Sequence, residues 1–132
     1  MAFSGGGTNV GGVQQRDAGI LKINNGVISA TANGTYNIDL VVPSGKVYLI
    51  KASRNKKAAG TYTVSTIALQ IIDGSATAVT YATQSSDNFS SMVGDQNYYV
   101  PEGFTIRASF TVTGWSIAGA LQSLLLYQEM DS

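Results

Sequence analysis

The sequence predicts an all-β chain: an antiparallel β-sandwich of about eight strands, jelly-roll-like, carrying a flexible glycine-rich arm at its N-terminal end. Three observations predict it. Turn dipeptides (Asn25-Gly26, Asn33-Gly34, Asp73-Gly74) punctuate short runs rich in β-formers. Two of those runs alternate with period 2, and the one leucine-rich run lies close behind glycines.

In chain order, residues 1–18 contain Gly5, Gly6, Gly7, Gly11 and Gly12 with little apolar content, too little hydrophobic area to order by themselves. They are expected to form the arm, and residues 19–132 the sandwich domain. Tyr36, Ile38, Leu40 and Val42 share one strand face, and Phe104, Ile106, Ala108, Phe110 and Val112 share another. Further strands are expected over Lys46–Ser53, Thr61–Ile72, Thr77–Thr83, Gln96–Val100 and Ala120–Gln128. Leu124, Leu125 and Leu126 predict that the last strand is covered on both faces; a helix there is disfavoured because Gly114 and Gly119 flank Trp115 as in a turn. Val42-Pro43-Ser44-Gly45-Lys46 echoes Val100-Pro101-Glu102-Gly103-Phe104. Proline second and glycine fourth suggest type I turns, read as paired Greek-key corners.

Composition narrows the function. The 132 residues suit one domain, with eight Lys plus Arg against eight Asp plus Glu and only 12% charged residues, about half the usual ~25%. Such a balance argues against nucleic acid as partner, and no stretch approaches the ~20 apolar residues of a membrane helix. No basic and apolar leader opens the chain, so synthesis and retention in a cytoplasm are expected, and the sequons at Asn33 and Asn88 read as turn chemistry.

Chemistry is poorly provided for. With no cysteine and no histidine, disulfides, thiolate or imidazole metal sites and the Ser-His and Cys-His nucleophile pairs are absent. Gly114-Trp115-Ser116-Ile117-Ala118-Gly119 has one residue too many for a nucleophile elbow. The carboxylates Asp39, Asp73, Asp87, Asp95, Glu102, Glu129 and Asp131 show no pairing in their spacing, and Asp73 is expected to serve its turn. The glycine-rich arm lacks the Gly-Lys-Ser/Thr ending of a phosphate loop. The chain is therefore expected to be no enzyme, with no cofactor and no metal.

Candidate partner-binding residues fall in three places. In the arm they are Phe3, Gly5, Gly6, Gly7, Val10 and Arg16. Lys51, Arg54, Lys56 and Lys57 place half of all basic residues in seven positions, read as a strand end running into a loop closed by Gly60. A solvated run that keeps a strand edge from pairing is the plainer alternative. Trp115, in its expected turn, is the candidate exposed anchor, and of Tyr98 and Tyr99, on opposite faces, one is expected in the core.

The corner VPSGKVYLIKAS, the stretch STIALQIIDGSATAVTYA, the corner YVPEGFTIRASFTVTG and the closing LQSLLLYQE give the chain from about Ile20 to Glu129 a style that resembles small jelly-roll virion proteins of tailed bacteriophages, especially capsid decoration or cement proteins. The resemblance implies a virion location and a symmetric oligomer, a homotrimer above all. It implies a seat on the major capsid protein or another virion protein, with the arm tying neighbouring subunits together. A tail, baseplate or fibre component, or a carbohydrate-binding sandwich using Trp115 and the tyrosines, are the alternatives.

Overall fold

The computed structural model describes residues 19–84, 92–93 and 97–132, so the expected arm lies outside the described residues. Nine strands run through the described residues: β1 (Ile20–Ala30), β2 (Gly34–Val41), β3 (Lys46–Lys57), β4 (Thr61–Ile72), β5 (Ala78–Gln84), β6 (Met92–Val93), β7 (Tyr98–Val100), β8 (Thr105–Ile117) and β9 (Gly119–Asp131). No helix occurs among them.

One sheet has the order β1-β9-β3, with β6 and β7 both pairing along the far side of β3; the other has the order β2-β8-β4-β5. Every pairing is antiparallel. With β6 and β7 taken as one interrupted strand, eight strands divide four and four, and successive strands cross repeatedly between layers. That is a jelly-roll-like sandwich.

The core follows from alternation. Phe110, Ile67, Val64, Val112, Tyr62 and Leu121 pack together at one end, and Ile50, Val100, Val42, Tyr48, Tyr127 and Leu125 at the other. Tyr81 touches both groups. Full burial of a side chain the size of Phe110 or Ile50 contributes about 1.5–3 kcal/mol, so these positions dominate stability. Both predicted alternations hold: Tyr36, Ile38 and Leu40 turn inward on β2, and Ile106, Ala108, Phe110 and Val112 are buried on β8. β9 is a strand at the centre of its sheet, with Leu125 buried inward and Leu124 and Leu126 half-buried on the outer side.

Several local expectations change. Asn25-Gly26 is no turn; it lies mid-strand in β1, where a Cβ on Gly26 would run into the Ile38 side chain. Its glycine serves the close approach of β1 to β2, a need that local pattern does not show. The two proline corners do form, but the amide of Lys46 donates to Pro43 O at 3.2 Å and that of Phe104 to Pro101 O at 3.2 Å. Proline is thus first and glycine third, and Gly45 and Gly103 have φ of 81° and 82°, as type II turns require. The corners are bonded to each other, Val42 N to Phe104 O and Gly103 N to Val42 O, both at 2.9 Å, with Gly45 N donating to Glu102 Oε1 at 2.7 Å. Gly114 forms no turn either: β8 runs on to Ile117 through a bulge at which Gly114 has φ of 61°. Asp73 does serve its turn, its Oδ1 accepting from the amides of Ser75 and Thr77.

Candidate binding surface

The outer faces of the two sheets differ in chemistry. On the four-stranded sheet the register lines up Thr35, Thr111 and Thr66 in one row. Asn37, Ser109, Ala68 and Thr83 form the next, and Asp39, Arg107, Gln70 and Thr80 the third. These three rows are polar and internally bonded, and the next row, Val41, Thr105, Ile72 and Ala78, brings one exposed valine to the same face. Arg107 grips Asp39 through Nε at 2.8 Å and a terminal nitrogen at 2.9 Å, and Gln70 Nε2 donates to Thr80 Oγ1 at 3.1 Å. The carboxylate raises the Arg107 pKa further above its already high ordinary value.

The five-stranded sheet presents the opposite character. Leu21, Gln128, Leu49 and Tyr99 form one outer row, and Ile23, Leu126 and Ala52 the next. Asn25, Leu124 and Arg54 follow, then Val27, Gln122 and Lys56. Leu21, Ile23 and Val27 are 60%, 68% and 59% exposed. A sheet face meant for water alternates polar residues outward, as three rows of the other face do. Here aliphatic side chains occupy those positions on adjacent strands, the pattern of a docking surface. Arg54 and Lys56 border the apolar block, and Arg54 Nε is buried with no hydrogen-bond acceptor among the described residues.

The basic residues therefore lie on β3 and not in a loop, and they do not act as one cluster. On its far side β3 meets β7 over Tyr48–Ile50 and β6 at Ser53 and Arg54, whereas Lys56 and Lys57 pair with β9 alone among the described residues, so the edge-protection reading falls for Arg54 and still stands for those two lysines. Alternation sends Arg54 and Lys56 outward, whereas Lys57 donates to Tyr62 O at 3.0 Å with its Nζ 5.4 Å from the Tyr62 ring centre. Lys51, beside the bulge between Ile50 and Ala52, donates to Asn97 Oδ1 at 3.1 Å. Phe3, Gly5, Gly6, Gly7, Val10 and Arg16 fall outside the described residues.

Trp115 is not an exposed anchor. It sits half-buried on β8 against the core, its indole N–H donating to Ala30 O at 3.0 Å and its backbone N–H to Asn33 Oδ1 at 2.8 Å. Both tyrosines of the 98–99 pair are exposed, so neither is core. Tyr98 lies against Tyr81 with ring centres 5.0 Å apart, and burial together with Tyr98 pushes the Tyr81 hydroxyl pKa up.

At one end of the sandwich Lys22 Nζ donates to Glu129 Oε1 at 2.7 Å and Tyr48 Oη to Glu129 Oε2 at 3.1 Å. The Lys22 bond holds the Glu129 carboxyl below its ordinary pKa, and the same bond raises Lys22. Burial, with Tyr127 stacked 4.4 Å away, raises Tyr48 well above the usual phenol range.

Two concavities lie among the described residues. A crevice of about 20 Å3 between the sheets, lined in part by Ile38, Ser53, Tyr81 and Ser123, has room for one water. A shallow depression of about 370 Å3 lies at the paired corners. Asp39 is the one carboxylate lining the first, where Arg107 holds it, and Glu102 the one lining the second. Among the described residues no three metal-ligating side chains group together.

The apolar face could have been suspected from two signals. Three successive leucines on a strand must send at least one outward, and Leu21, Ile23 and Val27 alternate in step. The false turn at Asn25-Gly26 hid the second.

No protein-family model matches the chain, and no curated protein matches it. Among solved structures, the chain is similar to one from the infectious bursal disease virus Gt strain, with 12% identity and a TM-score of 0.37 over 90% of this chain. The match spans 35% of that chain's length.

Proposed function

We propose that this chain is a structural virion protein: a capsid decoration protein that seats the outer face of its five-stranded sheet on the major capsid lattice and works as a symmetric oligomer. The contrast between the two outer faces carries the reading. Rows of threonine, serine and ion-paired side chains suit water on one side, while Leu21, Ile23, Val27, Leu124 and Leu126 suit a protein surface on the other. A low charge fraction fits a domain whose neighbours in a lattice cover much of it. Arg54 and Lys56 at the border supply cations for acidic groups of the partner.

Co-sedimentation of the purified full chain with capsids of its source virus tests the proposal. The chain should pellet with the particles, and Arg54→Glu with Lys56→Glu should weaken binding at least tenfold at low salt while leaving the thermal melt in place. Failure to associate with particles, or binding by the isolated protein to a glycan array through Tyr98 and Tyr99, would overturn it.

A further inference from the structure

Among the described residues, β1 has the longest strand edge with no strand paired to it. β1 pairs with β9 along all eleven residues, from Ile20 opposite Glu129 to Ala30 opposite Gly119, without a register shift. On its other side it has no partner strand among the described residues. Native sheets guard such edges with proline, bulges, short strands or charged side chains. The far edge of the same sheet is the two-residue β6 and the three-residue β7, and β2 ends against the Pro43 corner. In β1 there is no proline and no bulge, and its one charge, Lys22, is engaged by Glu129. Half of its backbone N–H and C=O groups point away from β9, enough for roughly ten hydrogen bonds to another strand of equal length.

We infer that a second copy of this chain occupies that edge, β1 against β1 antiparallel about a two-fold axis through Asn25. The strand is its own complement in that register. All eleven positions overlap, Ile23 faces Val27 of the other copy twice, Leu21 faces Ser29 twice, and Asn25 faces Asn25. These residues share the outer face, so the apolar pairs meet on one side of the joined sheet. Charge agrees with the choice. Each Lys22 faces an isoleucine, and the two ammonium groups stand six residues apart, about 20 Å, beyond the ~8 Å screening length of physiological salt. Centring the axis on Lys22 would instead set the two charges face to face. The contact is isologous, so it joins copies in twos and not in threes. It also merges two five-stranded sheets into one, doubling the apolar face proposed to meet the lattice. The inference rests on the strand itself and stands apart from the virion reading, because its test uses purified protein without particles.

The chain has no cysteine, so single substitutions report geometry cleanly. In the proposed register the Cα atoms of the two Asn25 residues lie about 4.5–5.5 Å apart, inside disulfide range. Those of the two Val27 residues lie four positions apart, about 14 Å and out of range. The full-length Asn25→Cys variant should form a disulfide dimer under mild oxidation and Val27→Cys should not. Sedimentation of the unmodified chain should give a dimer, Ile23→Lys with Val27→Lys should give a monomer with an intact melt, and Ile23→Glu with Val27→Lys should restore the dimer. A monomer or trimer at all concentrations for the unmodified chain, or efficient linking of Val27→Cys in place of Asn25→Cys, overturns the inference.

Discussion

Asn55 lies wholly buried on the inner side of β3, an amide placed among apolar neighbours. Its Oδ1 accepts from the Ser123 hydroxyl at 2.6 Å, and its Nδ2 donates to Ser53 Oγ at 3.3 Å, so three small polar side chains satisfy one another between the sheets. Asn55→Ala removes both bonds and leaves the Ser123 hydroxyl buried without that acceptor. An orphaned hydroxyl of this kind costs about 1–3 kcal/mol, and the lost packing adds to it, so a total of about 2 kcal/mol is expected. For a domain of this size that lowers Tm by roughly 8 °C. In a Ser123→Ala background there is no hydroxyl to orphan, and the same substitution should cost about 1 kcal/mol less. Urea midpoints of the parent chain, both single variants and the double variant close the cycle, with the denaturant slopes checking that unfolding stays two-state. Additivity within about 0.5 kcal/mol would refute the claim that the trio acts as one network.

Other expectations follow from single contacts. Gly26→Ala should destabilise the fold by about 1–3 kcal/mol, because its methyl must displace Ile38; an unchanged melting temperature would contradict the close approach of β1 to β2. Trp115→Phe keeps the ring against the core but leaves Ala30 O without its indole donor, so a loss of about 1 kcal/mol is expected, read as a shift in urea midpoint. Glu129 has its pKa lowered in the fold, chiefly by Lys22, so its contribution is present above the ordinary glutamate pKa of about 4.3 and disappears as pH falls through the lower folded value. The stability gap between the parent and Glu129→Gln should accordingly be open at pH 7 and narrow steadily as the pH falls below the ordinary glutamate range. A gap that does not narrow on acidification would remove the ion pair as its cause.

The sandwich was legible where alternation is local. Tyr36 to Val42 and Phe104 to Val112 announce strands because every second side chain is apolar, and the type II corners announce themselves by Pro and Gly, although hydrogen bonding shifts the turn by one residue. What sequence pattern could not convey depends on partners distant in the chain. Gly26 looks like a turn until Ile38 is beside it, and Gly114 looks like one until β4 pairs through the bulge. The basic run looks like a loop until β9 and the β6 and β7 segments flank it. Of the candidate binding residues, Arg54 and Lys56 stand at the apolar face, whereas Trp115 and Lys57 are spent on internal contacts.

β9 is the last of the nine strands to be synthesised, yet it lies between β1 and β3 in the sheet. On a ribosome, Ile20 therefore waits for Glu129 before β1 gains its partner, and Lys46 for Asp131 before β3, already able to pair with β6 and β7, gains its second. Until then the nascent chain displays two open strand edges whose gap matches a β9 from any sister chain. Non-local pairing of this kind is intrinsically slow to complete. Translation rate and polysome density should thus govern how much chain matures alone and how much exchanges its final strand with a neighbour, and slowing elongation ahead of Gly119 would widen that window.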